Sequence, residues 1–294
     1  FFFGSLHDAA KSVLPGTFLV TYTFLLPFTA VAVTAAVFFI KKTNRRFSRL
    51  VDYVNVLLLI LMAVDLFLLG KKMNERQQPV ASTPPGFVPC DSCPTPDIYF
   101  IVADEYAGNT ELKEVLKFDN SAFETALKGK GFKIVDRSLS NYNYTPHSIA
   151  SLLSMTYLQG IVGKNKSKKD RRIAYALINK NPVIDFLRSR GYHFKNLSVF
   201  QFDEEIPTVR SPFILTGKQL LTSQTFSSRI DRDIRFNLIT TYHIRSQMKA
   251  FANKEINSLN KMLEATKKEA TRASDAPRFI YTHLMMPHYP YFFD

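Results

Sequence analysis

The chain has 294 residues, of which 38 are Lys or Arg and 25 are Asp or Glu, giving a formal net charge of +13. This length suffices for a membrane region and one sizeable soluble core. The charge suits an anionic partner, but no nucleic-acid motif stands out, and the apolar segments described next favour lipid over nucleic acid. Because the chain begins with three phenylalanines and ends just after an apolar segment, we expect both ends to be cut from a longer protein.

Two apolar segments near the N-terminus are candidate membrane spans. Residues 17–40 carry no charge and are long enough to cross the hydrocarbon core as a helix, with a candidate kink at Pro27. Residues 50–70 form a second candidate, although they contain Asp52 and Asp65. The loop between the segments carries five Lys or Arg residues, so the positive-inside rule places the loop in the cytoplasm and the later part of the chain outside it.

A proline-rich stretch, residues 73–96, follows the predicted transmembrane region, residues 1–72, and predicts an extended linker. It contains the two cysteines of the chain, Cys90 and Cys93. A local disulfide in an oxidising compartment is the favoured interpretation, and two free thiols are the alternative. A structural zinc site would need a second cysteine pair, which is absent. Residues 97–294 form the predicted soluble domain.

Strands alternate with amphipathic helices in this domain, which predicts an α/β fold. Residues 97–103 are almost wholly apolar, as in a buried central strand. A capping box at Ser121 predicts a helix to about Gly129, and Asn181-Pro182 predicts the start of another helix. Further predictions are strands at 132–135, 192–200 and 278–284, a surface helix at 253–270 and a solvated loop at 164–172.

Polar residues stand at three places where α/β proteins form sites. Asp104 and Glu105 directly follow the first strand and suit either a divalent cation or the capping of a turn. Thr145 precedes a proline and an apolar helix, so it is either a simple N-cap or a hydroxyl placed where the helix dipole favours phosphate or sulfate. His283 and His288 accompany the last strand, as metal or oxyanion ligands or as structural histidines.

In order and content, these places resemble the alkaline-phosphatase/sulfatase superfamily. The stretch PDIYFIVADEYAG and the PHYPY segment of HLMMPHYPY are the most specific, and Thr145 stands between them. The closest likeness is to the membrane-anchored branch that includes lipoteichoic acid synthases and phosphoglycerol or phosphoethanolamine transferases. Over residues 97–294 the resemblance implies an incomplete, alkaline-phosphatase-like, mostly parallel central sheet flanked by helices and preceded by transmembrane helices.

The resemblance also implies a function and its residues. It implies Asp104 and Glu105 as ligands of a divalent metal (Mn, Mg, Zn or Ca), Thr145 as nucleophile and metal ligand, and His288, with His283 as a weaker match, as substrate-binding residues. The reaction would be transfer or hydrolysis at a phosphate ester, with a membrane phospholipid donating its headgroup to an envelope acceptor. The implied location is the bacterial cytoplasmic membrane, with several spans and the catalytic domain on the outer side.

Two departures from the superfamily limit this interpretation. The C/S-x-P-x-R motif of true sulfatases is replaced by Thr145-Pro146-His147-Ser148-Ile149, which lacks the arginine and the modifiable residue. The remaining metal ligands of the superfamily, an Asp-His pair and a further histidine, are expected later than Asp294, so we expect the fragment itself to be inactive. The alternatives are a sulfate- or phosphate-ester hydrolase of the same fold and a non-catalytic membrane scaffold.

Overall fold

The computed structural model describes residues 3–43, 48–74, 92–135, 138–158, 168–203 and 225–286, together with residues 88, 90, 205, 207 and 222. The chain divides into two compact units. One comprises Phe1–Gln77 with Gly217–Arg235, and the other comprises Gln78–Thr216 with Phe236–Asp294. The sequence did not predict that Gly217–Arg235 would belong to the same unit as the N-terminal helices.

The first unit is helical. Its elements are α1 (Phe3–Val13), a 3-10 turn (Phe18–Val20), α2 (Tyr22–Lys42), α3 (Ser48–Asn74) and a short helix, Phe226–Ile230, named α9 by its place in the chain, which continues as a π-helical turn (Asp231–Arg235).

A buried arginine holds the parts of this unit together. The Arg229 side chain, 7% exposed, donates to an Asp8 carboxylate oxygen on α1 and lies 3.7 Å from Asp233. Asp233 in turn accepts a hydrogen bond of 2.7 Å from the Tyr22 hydroxyl at the start of α2. Because a buried charge is costly unless paired, these contacts fasten α9 to α1 and to the N-terminal end of α2.

Both predicted membrane segments are helices. Among the residues that the structure describes, one helix, α2, is long and apolar enough to cross a membrane. It begins at Tyr22 rather than at residue 17, because residues 18–20 form the 3-10 turn. The second segment lies within α3, whose apolar side chains from Val51 to Phe67 are exposed wherever they are described.

The second unit contains a three-stranded parallel sheet in the order β1-β3-β2. Its strands are β1 (Ile98–Ala103), β2 (His193–Leu197) and β3 (Arg278–Leu284). Ala103 pairs with Leu284 at one end of the β1–β3 ladder, which brings the carboxyl ends of these two strands to the same edge. The predicted α/β class is therefore confirmed, while the likeness of this sheet to alkaline phosphatase stays a prediction.

Helices cover both faces of β3. Its alternate residues Phe279 and Tyr281 join the hydrophobic core that includes Leu153 and Ile178. On the opposite face, Thr282 Oγ1 lies 2.8 Å from Thr266 Oγ1. The helices on the core side are α6 (Thr145–Ser154), α7 (Lys168–Asn179) and α8 (Pro182–Ser189), and the helix on the other side is α11 (Arg245–Thr271). The unit also contains α4 (Asn109–Glu114), α5 (Ser121–Gly129) and α10 (Phe236–Thr241).

The predicted strand at 132–135 is wrong. These residues form no strand, and Phe132 and Val135 are 60% and 66% exposed. The Phe132 N–H donates instead to the Leu127 carbonyl at 3.1 Å, closing the end of α5. An apolar run becomes a strand only where a neighbouring strand accepts its backbone hydrogen bonds, and the structure describes none beside this run.

Several predicted boundaries also shift. The helix at 121–129 is confirmed, but Asn120 is its N-cap and Ser121 is already helical, so the capping box is wrong. The charged run is not a loop throughout, because α7 begins at Lys168 and turns Ala174 and Ile178 into the core; residues 164–167 lie outside the described residues. The strand predicted at 192–200 ends at Leu197. The Asn196 and Ser198 side chains hydrogen-bond to each other and to the Phe200 backbone, which stabilises a bend after the strand.

Two sequence signals are confirmed in detail. Asn181 caps α8, its Oδ1 accepting from the Ile184 N–H at 3.0 Å. A disulfide joins Cys90 to Cys93, which agrees with the favoured interpretation of that pair. The helix predicted at 253–270 is also present, but it begins earlier, at Arg245.

Candidate functional site

Asp104 is positioned by the β1–β3 ladder. Its N–H donates to the Leu284 carbonyl at 2.9 Å, so the parallel pairing continues one residue past the end of β1. The residue is buried, with 7% of its surface exposed. The sheet thus holds a carboxylate at its carboxyl edge, where ligands of α/β proteins commonly bind.

Thr145 faces this carboxylate from the first turn of α6. Its hydroxyl donates to Asp104 Oδ1 at 3.1 Å and to Oδ2 at 3.2 Å, across 41 residues of sequence. The N-cap of α6 is Tyr144, so Thr145 is the first helical residue rather than the cap that its sequence context predicts. The hydroxyl therefore reaches the carboxylate instead of an N–H of its own helix, in an arrangement where a carboxylate can accept the hydroxyl proton. The role of Thr145 as a nucleophile stays a prediction.

His283 lies on the other side of Asp104. Its ring is fully buried, and its Nε2 is 3.6 Å from Asp104 Oδ2, beyond normal hydrogen-bond length. The Tyr281 hydroxyl lies 2.7 Å from His283 Nδ1. The structure therefore places His283 behind the carboxylate, within the core, while its predicted part in substrate binding stays a prediction.

The environment of Tyr281 determines which group donates in that contact. Burial raises the pKa of Tyr281 well above its ordinary value, and the negative charge of Asp104 raises it further. The phenol consequently stays protonated, and we assign it as the donor to His283 Nδ1. A neutral imidazole that accepts at Nδ1 carries its hydrogen on Nε2, the nitrogen nearest to Asp104.

Two predicted site residues remain, Glu105 and His288. Glu105 is exposed, and its backbone adopts the left-handed conformation with φ of 60°, in the turn that follows β1. Such a conformation is uncommon outside glycine. Its role as a metal ligand stays a prediction, and His288 lies outside the described residues.

The oxygens of Asp104 and Thr145 have the chemistry that hard divalent cations prefer. They would supply part of a coordination sphere at the edge of the sheet. Within the described ranges, no group of three or more His, Cys, Asp or Glu side chains is arranged to hold a metal ion. Asp104 and Thr145 are thus the two oxygen ligands that the described part of the site offers, and the bound metal stays a prediction.

Sequence reasoning missed Tyr281, although a signal for it was present. Tyr281 and His283 are two residues apart on one strand, and side chains at that spacing point to the same face. A polar pair at this spacing on one face of a strand that also carries Phe279 predicts a buried hydrogen bond. The ring contacts of His283 with Phe200, at a centroid distance of 5.4 Å, show how tightly the core encloses it.

No protein-family model, no curated protein and no solved structure matches the chain. The resemblance to the alkaline-phosphatase/sulfatase superfamily therefore stays a prediction from the residues quoted in the sequence analysis.

Proposed function

We propose that this protein is a membrane-anchored, metal-dependent phosphotransferase of the alkaline-phosphatase/sulfatase superfamily. It transfers the headgroup phosphate of a phospholipid to a hydroxyl acceptor through Thr145. The observation that supports this function is the Thr145 hydroxyl donating to both oxygens of the buried Asp104 carboxylate, at 3.1 and 3.2 Å. A threonine that acted only as an N-cap would instead accept a hydrogen bond from a backbone N–H of its helix through its hydroxyl oxygen.

In the first step, Thr145 Oγ1 attacks the phosphorus of the ester while its proton passes to Asp104. The new bond joins Oγ1 to phosphorus, and the bond from phosphorus to the lipid oxygen breaks. The lipid oxygen takes up a proton from solvent, and Asp104 releases the threonine proton to solvent, so that it is again a carboxylate for the second step. The N-terminal end of α6 places the positive pole of a ten-residue helix beside the reacting phosphate. When bound, a divalent cation would stabilise the developing negative charge and favour the alkoxide form of the threonine.

In the second step, an acceptor hydroxyl attacks the phosphothreonine. The acceptor oxygen bonds to phosphorus, the bond to Oγ1 breaks, and the acceptor proton returns to Thr145 by way of Asp104. If water were the acceptor, the same steps would give hydrolysis. His283, hydrogen-bonded to Tyr281, packs behind Asp104 and restricts its side chain, so that the carboxylate stays directed at Thr145.

The membrane topology is supported by the contact between Tyr22 and Asp233. In the proposed topology, this contact keeps the N-terminal end of α2 and residue 233 on one side of the bilayer. If α2 crosses the membrane, the chain has to cross back between residues 43 and 225. Within that interval α3 is 27 residues long, about 40 Å at the rise of an α-helix, and it presents its apolar side chains outward. We therefore propose α3 as a second span.

The side on which the domain lies follows from charge and from the disulfide. The segment 41–49, around the junction of α2 and α3, carries five Lys or Arg residues, which favours the cytoplasmic side. The Cys90–Cys93 disulfide, between α3 and β1, favours an oxidising compartment for the chain that follows. We propose that the α/β domain faces the outside of a bacterial cytoplasmic membrane.

The test uses the gene-length protein in phospholipid vesicles with a radiolabelled headgroup and mass spectrometry of its peptides. We expect a headgroup phosphate on the Thr145 peptide, and Thr145→Val should lose both the adduct and about 10⁴-fold or more of the turnover. Thr271→Val is the matched control, because that hydroxyl bonds only carbonyls of its own helix, at 3.2 Å. Retained turnover in Thr145→Val would exclude the mechanism, and label released to water alone would identify a hydrolase.

A further inference from the structure

The chain passes between the two compact units more than once. Gly217–Arg235 follows β2, yet it belongs to the unit of the N-terminal helices, while Phe236 belongs to the unit that holds the sheet. We name residues 225–235 the return segment, which comprises the N-cap Thr225, α9 and the π-helical turn. The α/β domain is thus connected to the helical unit through this segment as well as through the predicted linker.

The return segment contacts α1 through a charged pair and an aromatic pair. Arg229 forms an ion pair with Asp8, and its Nη2 also donates to the Gly4 carbonyl at 3.3 Å. The Phe226 ring lies edge-on to the Phe3 ring, at a centroid distance of 4.9 Å. Because the Arg229 side chain is 7% exposed, salt screens its ion pair much less than it would screen a surface pair.

A second set of contacts reaches the start of α2. The Tyr22 hydroxyl donates to Asp233 Oδ2 at 2.7 Å, and the same carboxylate oxygen lies 3.7 Å from Arg229. The hydrogen bond of Tyr22 spans 211 residues of sequence, and the ion pair of Arg229 with Asp8 spans 221. Because separating the two sides would leave buried charges without their partners, these links resist separation.

The boundary between the two units coincides with the π-helical turn. Asp231–Arg235 lies between α9 and α10, and it ends where the units divide. Helices bend at π-helical interruptions, which occur frequently at functional sites. This turn allows α9 to keep its partners in the helical unit while α10 contacts α11 in the other unit.

The predicted linker alone would leave the α/β domain free to move. A proline-rich chain extends by about 3.1 Å per residue, so residues 75–96 could reach roughly 70 Å from the end of α3. A domain held only by such a linker would tumble independently of the bilayer. A second attachment at Tyr22, the first residue of the candidate membrane span, removes most of that freedom.

We propose that the return segment is a docking element, which binds α1 and the start of α2 and holds the α/β domain at the membrane. The domain is then attached at two points, one covalent through the linker and one non-covalent through Arg229 and Asp233. Docking needs α2 to cross the membrane but needs no chemistry at Thr145, so it goes beyond the proposed function. For a phosphotransferase, it would keep the site close to the bilayer that holds its lipid substrate.

The experiment measures the rotational freedom of the α/β domain in the gene-length protein. A dye is coupled to the thiol of Lys267→Cys, at an exposed position of α11, while Cys90 and Cys93 are protected as a disulfide. The protein is placed in phosphatidylcholine vesicles at about 0.5 M salt, which suppresses attraction between a basic chain and lipid. Time-resolved fluorescence anisotropy then reports whether the domain tumbles with the vesicle or independently of it.

We expect a high residual anisotropy in the parent protein and a fall of about threefold or more in Arg229→Met, because the domain is then held by the flexible linker. Arg235→Met is the matched control. Arg235 is 56% exposed and pairs with Asp231 of its own turn at 2.8 Å, so its loss should leave the anisotropy unchanged.

Tyr22→Phe keeps the proposal testable if Arg229→Met does not fold. It removes one hydroxyl and keeps the ring contacts with Phe3 and His7, at 6.2 and 4.8 Å, and it should lower the residual anisotropy about twofold. Low residual anisotropy in the parent protein, or an unchanged value in both variants, would overturn the proposal. Headgroup transfer is assayed separately in the same vesicles, so that docking without transfer refutes the proposed function alone, and transfer without docking refutes this inference alone.

Discussion

Replacing Tyr281 with phenylalanine tests whether the buried support of Asp104 exists as described. The substitution removes one oxygen and keeps the ring, which stacks on Phe100 at 5.5 Å and contacts Phe202 at 5.3 Å. No cavity of methyl size is created, so the packing contribution to stability is retained. What is lost is the hydrogen bond of 2.7 Å to His283 Nδ1, whose ring has no exposed surface.

The magnitude follows from the burial of both partners. A buried ring nitrogen left without a hydrogen-bond partner costs about 1–3 kcal/mol, and water does not reach this one. We expect the free energy of unfolding to fall by that amount. Because His283 also loses the contact that orients it behind Asp104, turnover should fall about 10- to 100-fold, as for other residues that support a ligand, with little change in KM.

The assay is chemical unfolding of the gene-length protein in detergent, followed by limited proteolysis, alongside headgroup transfer from phospholipid vesicles. Tyr99→Phe is the control, because its hydroxyl makes a long, exposed contact of 3.4 Å with Asp97, and its effect should stay within about 0.5 kcal/mol. A Tyr281→Phe protein as stable as the wild type would refute the buried hydrogen bond. Lower stability with unchanged turnover would refute the positioning role of His283.

Two further predictions concern charges outside the site. Arg229→Met should destabilise the helical unit by about 3–5 kcal/mol in thermal unfolding, because Asp8 and Asp233 lose the buried cation that pairs with them. Arg235→Met is the control, and because Arg235 is exposed, its loss should change stability by less than about 1 kcal/mol. The Arg278 side-chain hydrogen bond lowers the pKa of Asp97 below its ordinary value of 3.8, so its stabilising contribution is complete above that pH and lost as pH falls below it. Asp97→Asn should therefore flatten the loss of stability below pH 4, and an unchanged acid profile would contradict this account.

Much of the candidate site was predictable because its residues carry local signals. Asp104 follows an apolar strand, and Thr145 precedes Pro146 at the start of an amphipathic helix, so each was placed at the end of an element. Hydrophobic periodicity and helix-start residues depend on neighbours within a few positions, which a sequence displays directly. The separate positions of these two residues, and the position of β1 at Ile98–Ala103, follow from that local information.

The pairing of Asp104 with Thr145, by contrast, was decided by tertiary structure. Their contact spans 41 residues, and it depends on α6 packing against the sheet with its first residue turned toward β1. The residues alone left Thr145 either as a simple N-cap, which is the local optimum, or as a hydroxyl placed to meet a phosphate or sulfate. The buried carboxylate offers the hydroxyl a stronger, charge-assisted hydrogen bond than a neighbouring N–H would.

The sequence by itself determined the α/β class, the apolar strands β1 and β3, the two long N-terminal helices and the cysteine pair. Tertiary structure decided the strand order, the absence of a strand at 132–135 and the joining of α9 to the N-terminal helices through Arg229. The physical reason is common to all three. A strand and a buried ion pair each need partners that are distant along the chain. Local propensity contains no information about which distant groups will meet.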